Sequence, residues 1–304
     1  MAVVIAFLAN IAIAVAKTIV ALLSGSASLV AEAIHSWADA GNEIFLLIAD
    51  RKGEREGDAE HPTGYGRDAY VWSLFAAVGV FTVGAVLSIV TGVRELLEPE
   101  PVSDYTAAYI VLAIAFVLEG FSLLQSSRQA KATARRYRYR RNTLDLIVNG
   151  SNPTLRAVIF EDSAALAGLA IAALSILLHQ LTGNPLFDAI GSLLIGLLLG
   201  FVAILLIGRN RQYLIGASPP PAIRARVIDT LLAHSEIERI TYLHLEFIGV
   251  GRLFLVAAVD LTGNDREEEL AERLRRLDDE LEADDVISRV VLTLSVKSDP
   301  SITA

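Results

Sequence analysis

The chain has 304 residues, 53% of them hydrophobic, with a mean hydropathy of +0.50, more apolar than soluble domains of this size. A formal net charge of −9 gives no support to nucleic-acid binding. The absence of cysteine excludes disulfides, thiolate zinc sites and cysteine nucleophiles.

Met1 leads almost directly into apolar sequence without a basic n-region or small-residue cleavage site, so the start reads as a membrane helix rather than a signal peptide. A spanning helix needs about 20 mostly apolar residues. Six segments are expected to meet that need: 2–23, 29–49, 70–96, 105–126, 155–178 and 186–207. The second and fifth carry charges near their starts, and only SGSAS joins the first two, as a tight hairpin. The segment 128–156, with RQAKATARRYRYRR, holds eight Lys/Arg against the single acid Asp145, and the loop 51–68 is basic near both helix ends. EPEPVSD and LTGN have no basic residue. The positive-inside rule then puts both termini in the cytoplasm. Arg outnumbers Lys and Ala is abundant, which suggests a bacterial source and its inner membrane.

After Arg211 the composition changes and SPPP breaks the chain. A helix is expected from Ala222 to His234. RITYLHLEFI and RLFLVAAVDL read as strands joined through GVG, a hairpin signal. The helix REEELAERLRRLDDELE carries a stripe of Leu270, Leu274, Leu277 and Leu281, and VISRVVLTLSV reads as a last strand. The order αββαβ suggests a small α+β domain with a ferredoxin-like sheet. The division expected is therefore 1–208 for the membrane bundle of six helices and 209–304 for a cytoplasmic domain.

Charged groups at membrane depth are costly and usually face a bundle interior or a water cavity. In the second span one stripe carries Glu32, His35, Asp39 and Asn42, since residues three or four apart share a helical face. Imidazole nitrogen with carboxylate oxygen suits zinc, and also manganese or ferrous iron. Two ligands do not make a site, and the fifth span offers only Glu161 and Asp162 as charged partners. These adjacent residues point about 100° apart. The fourth span has one acid, Glu119, for which a helix-bridging role is an alternative to a metal role. No HExxH motif is present, so an intramembrane metal hydrolase is not supported.

GSASLVAEAIHSWAD, followed by HPTGYGR, resembles the cation diffusion facilitator family of metal transporters. Asn10 and Lys17 also match that family's first span, and the resemblance extends over the whole chain. It implies a homodimer in the lipid bilayer, formed through the C-terminal domain, that moves a divalent metal against protons by alternating access. Zinc is the foremost substrate, with manganese, iron or cobalt compatible, and export from the cytoplasm the favoured direction. No prosthetic group is implied, and no enzymatic activity.

The departures from the family pattern matter as much. Where most members repeat a His and an Asp in the fifth span, this chain has Ala165 and Leu169. FEDSAALAGLAIAA and the fourth-span LEG look like the subgroup containing mitochondrial zinc transporter nine. The resemblance carries over His35 and Asp39, takes Asp162 as the third ligand with Glu161 in reserve, and lets Glu32 join them. A peripheral site at Asp58 and His61 is weakened by Tyr65, which stands where a second His is common. His234 and His244 lack evident ligand partners. A membrane scaffold of the same fold that no longer transports is the alternative.

Overall fold

The computed structural model describes residues 2–99, 105–136, 147–263, 265–284 and 286–302, so residues 137–146 of the arginine-rich segment lie outside the described residues. The chain divides into a helical unit of residues 1–50 and 70–211 and a second unit of residues 51–69 and 212–304. One boundary between the two units falls after residue 211. The loop 51–69, which hydropathy leaves with the membrane part, groups with the second unit instead.

The helical unit is built from α1 (Ala2–Ser24), α2 (Ala27–Gly53), α3 (Asp68–Phe75), α4 (Thr82–Leu97), α5 (Tyr105–Arg136), α6 (Pro153–Thr182) and α7 (Leu186–Leu214). A π-helical turn, Ala76–Phe81, joins α3 to α4, so the three make one continuous span. Among the described residues, five of these segments are long and apolar enough to cross a membrane. Apolar length in the sequence leads to an expectation of six. The one that falls short is α2, because Glu32, His35, Asp39 and Glu43 interrupt its apolar run. Leu22, Val117, Leu181, Phe201 and Ile204 are exposed apolar side chains of the bundle, the inverse of a soluble domain and the arrangement lipid favours.

Local chemistry sets the helix ends. Gly25 turns the α1–α2 hairpin with φ 73°. At the start of α2, Asp188 from α7 accepts hydrogen bonds from the hydroxyls of Ser26 and Ser28 and from the backbone N–H of Ala27. A carboxylate there satisfies N–H groups that the helix leaves unpaired and complements its dipole. The serines of SGSAS therefore tie α2 to α7. Asn152 caps α6, its side chain accepting from the Leu155 N–H at 2.9 Å with Pro153 in the first turn, and Gly183 (φ 66°) closes the helix.

The second unit runs α8 (Pro221–Ala233), β1 (Ile237–Gly249), β2 (Arg252–Leu261), α9 (Glu267–Glu282) and β3 (Ile287–Leu294), the expected αββαβ order. The sheet order is β1-β2-β3, antiparallel across the first pair and parallel across the second. The parallel pair requires a crossover, which α9 supplies. Leu253, Leu255, Ala257, Val259 and Leu261 alternate inward along β2. Leu255, Ala257, Val259 and Leu261 share a core with Ile228 and Leu231 of α8 and Leu277 and Leu281 of α9, with Leu270 and Leu274 packed at its margin.

The loop 51–69 belongs to this unit through close backbone approach. A Cβ at Gly66 would lie 2.5 Å from the Ile248 carbonyl oxygen, so only glycine fits against Gly249 there. Beside it, Arg67 pairs with Glu246 of β1. That contact explains the GYGR segment in packing terms.

A candidate metal site in the helical unit

Asp39 and Glu43 on α2, Glu119 on α5, and Glu161 and Asp162 on α6 line one cavity of about 360 Å3. Its other walls include Asn10, Ser122, Gln125, Ser126 and Gln129. The lining lies at the end of the bundle where α1 begins, α2 and α5 end, and α6 begins. Five carboxyls around one buried space demand compensation by a cation, protons or water.

His35 sits one turn deeper than Asp39, only 1% exposed, with its Nε2 3.6 Å from Asp39 Oδ2. Neither ring nitrogen makes a hydrogen bond among the described residues, and Asp39 Oδ1 and Glu32 Oε1 are likewise unpartnered. Buried polar atoms are nearly always satisfied, so this concentration of unsatisfied ones, all on α2, stands out.

The remaining predicted residues take distinct places. Glu161 meets the Asp39 carboxyl and accepts a hydrogen bond from Asn42 Nδ2 at 2.6 Å. Asn42, a candidate ligand by sequence, thus spends its amide on a carboxylate. Asp162 Oδ2 accepts from Ser122 and Ser126 of α5 at 3.0 and 3.2 Å. Both α6 carboxyls line the cavity. Glu32 points away from the cavity, its Oε2 taking Lys17 Nζ at 2.9 Å while its Oε1 lies where a Cβ on Gly168 would be, 2.2 Å away. Lys17 also donates to Ser36 Oγ at 2.8 Å. Among the described residues, no three His, Asp or Glu side chains converge as a finished metal cage. The acids surround a space rather than closing on a point.

Three features escaped sequence reading: the Lys17–Glu32 pair, the Asn10–Glu43 hydrogen bond of 3.1 Å, and the serines around Asp162. A signal for the last existed. Ser122, Gln125, Ser126 and Gln129 recur at helical spacing along α5.

Outside the helical unit, the peripheral candidates are occupied by local structure. Asp58 accepts from the Tyr65 hydroxyl at 2.7 Å and the His61 backbone N–H at 2.8 Å, and these bonds hold its carboxyl below the usual carboxylate range. The His61 ring lies against Tyr65 with centroids 4.2 Å apart, and Arg55 covers Tyr65 at 4.1 Å. The loop is a folded unit in which the Asp58 carboxylate is already hydrogen-bonded. His234 and His244 each face one glutamate, Glu280 at 3.7 Å and Glu246 at 3.4 Å. Replacing both histidines with alanine is expected to leave metal flux unchanged in reconstituted vesicles; loss of flux in a stably folded double variant would expose a regulatory metal site in this unit.

Residues 3–215 match the model of the cation efflux transmembrane domain family. Metal tolerance protein C4 of Arabidopsis thaliana is 39% identical over 240 residues, 79% of this chain and 52% of that protein. The mitochondrial proton-coupled zinc antiporter SLC30A9 of Homo sapiens is 35% identical over 247 residues, covering 80% and 42%. Magnetosome protein MamB of Magnetospirillum gryphiswaldense is 26% identical over 240 residues, covering 76% and 72%. The chain spans about half the length of the first two.

Proposed function

Because the chain belongs to the cation efflux family, we propose that it carries a divalent metal, zinc foremost, across a membrane in exchange for protons. The observation that carries this reading is the acid-lined cavity with Asp39 on its wall and His35 one turn beyond it on α2, polar atoms of both unpartnered. His35, Asp39 and Asp162 are the ligands we favour, with Glu161 close enough to join them. Imidazole is the side chain whose ordinary titration lies nearest neutral pH, and its protonation competes with metal, so release can be driven by protons. The names of the human relative and of the plant relative, an antiporter and a metal tolerance protein, agree with that chemistry. A transport site must also let go, which suits acids spread around a space better than a closed cage.

On this reading α2 is a sixth crossing, tolerated because its charged stripe faces the bundle interior. The cavity then opens toward the end bearing the basic loops, the cytoplasmic side by the positive-inside rule. We read α8-β1-β2-α9-β3 as a ferredoxin-like fold lacking its first strand, and as the unit through which two copies pair. The composition favours a bacterial inner membrane, whereas the human relative is named mitochondrial.

The deciding experiment is flux. Purified protein in vesicles with an acidic lumen is expected to accumulate Zn2+, and a protonophore should abolish the accumulation. No flux above protein-free vesicles would leave the scaffold alternative standing. Topology has its own check, since the chain has no native cysteine. Cysteine at His61 is expected to label only from the cytoplasmic side and cysteine at Asn184 only from the opposite side; labelling of both from one side would overturn six crossings.

A further inference from the structure

We propose that Ser122, assisted by Ser126, is the positioning element that presents Asp162 to the cation, so that α5 is the third working wall of the site beside α2 and α6. This inference rests on the transport reading above.

Glu161 and Asp162 are neighbours on one helix, yet their hydrogen bonds pull them to different walls. Glu161 is held by Asn42 of α2, and Asp162 by the two serines of α5. On α6 the positions one and two turns further on, Ala165 and Leu169, are buried and carry no donor atom. The contribution of α6 therefore rests on these two carboxyls, and a carboxyl at the margin of a wide cavity needs holding. Both serines donate to the same oxygen, Asp162 Oδ2. That leaves Oδ1 as the atom for a metal ion. The Ser126 hydroxyl also lies 3.1 Å from the Leu123 carbonyl oxygen and has one hydrogen to give, so Ser122 is the steadier donor. Both serines line the cavity themselves, which places the bonds at the site and not behind it. Groups that orient a ligand in this way typically contribute 10- to 100-fold to metal affinity, through fixed geometry rather than direct bonding.

The test uses the full chain in vesicles with Zn2+ as the probe. Ser122→Ala/Ser126→Ala is expected to raise the KM for Zn2+ by about 10- to 100-fold, leaving the maximal rate little changed. Ser122→Thr, which keeps the hydroxyl, should restore the wild-type KM. Thermal unfolding of the detergent-solubilised variants separates a positioning effect from misfolding, and Zn2+ binding to the single Ser122→Ala variant serves if the double variant does not fold. Unchanged Zn2+ affinity in these variants, alongside an inactive Asp162→Asn protein, would overturn the positioning role while sparing Asp162 as a ligand. Wild-type flux in Asp162→Asn would overturn both.

Discussion

Asp39→Ala is expected to abolish metal flux while the protein stays folded, and Asp162→Asn to come close to it. Asp39 joins His35 to the cavity: it lines the space, faces His35 and meets Glu161. Its removal takes away a charged ligand and separates the histidine from the α6 carboxyls. Glu161→Gln should cost less, because the amide can still bond to Asp39 and to Asn42. His35→Leu is the sharper case. Two unpartnered ring nitrogens in a dry environment are a liability to the empty protein, and an apolar replacement of similar size relieves it. The metal-free His35→Leu protein should therefore unfold at a higher temperature than wild type, gain nothing from added Zn2+, and carry no flux. Residues kept at the expense of stability mark a functional site. Wild-type flux in both Asp39→Ala and Asp162→Asn would move the transport site elsewhere, with Glu119 the next candidate on the cavity wall.

What could be read from the chain alone followed from local periodicity. The spacing of Glu32, His35, Asp39 and Asn42 placed them on one helical face, and the inward alternation of β2 and the leucine stripe of α9 were legible for the same reason. Glu32 shows the limit of that logic. It shares the stripe, yet its carboxylate turns to Lys17 of α1, a partner on another helix that no period predicts. Asp188 reaches Ser26 across 162 positions, and Gly66 meets Gly249 through the absence of a side chain. Such contacts are set by which helices and loops become neighbours, and one chain's local pattern carries no record of that. The grouping of 51–69 with the C-terminal unit stayed hidden for this reason. The α5 serines lie between these cases: their helical stripe was visible, but the group they hold was not.

Lys17→Ala is expected to cost about 3–5 kcal/mol of stability. Lys17 and Glu32 are both fully buried, and the ammonium donates to Glu32 at 2.9 Å and to Ser36 at 2.8 Å. Deleting the ammonium leaves a carboxylate with no counter-charge, one oxygen of which already lacks a partner and rests against Gly168 of α6. The pair itself is another matter. A buried ion pair replaced by neutral groups of similar shape is often as stable as before, because both desolvation costs disappear together. Lys17→Met/Glu32→Gln should accordingly recover most of the stability lost by Lys17→Ala, a non-additivity measurable by thermal unfolding in detergent. The double variant also settles what Glu32 does. If the Lys17–Glu32 tie is only a bolt joining α1 to α2 beside the metal path, the neutral pair should carry Zn2+ at near wild-type rates. If Glu32 instead serves as a ligand during passage, stability should return without flux, and the cation must then travel past His35 to the Gly168 face of α6.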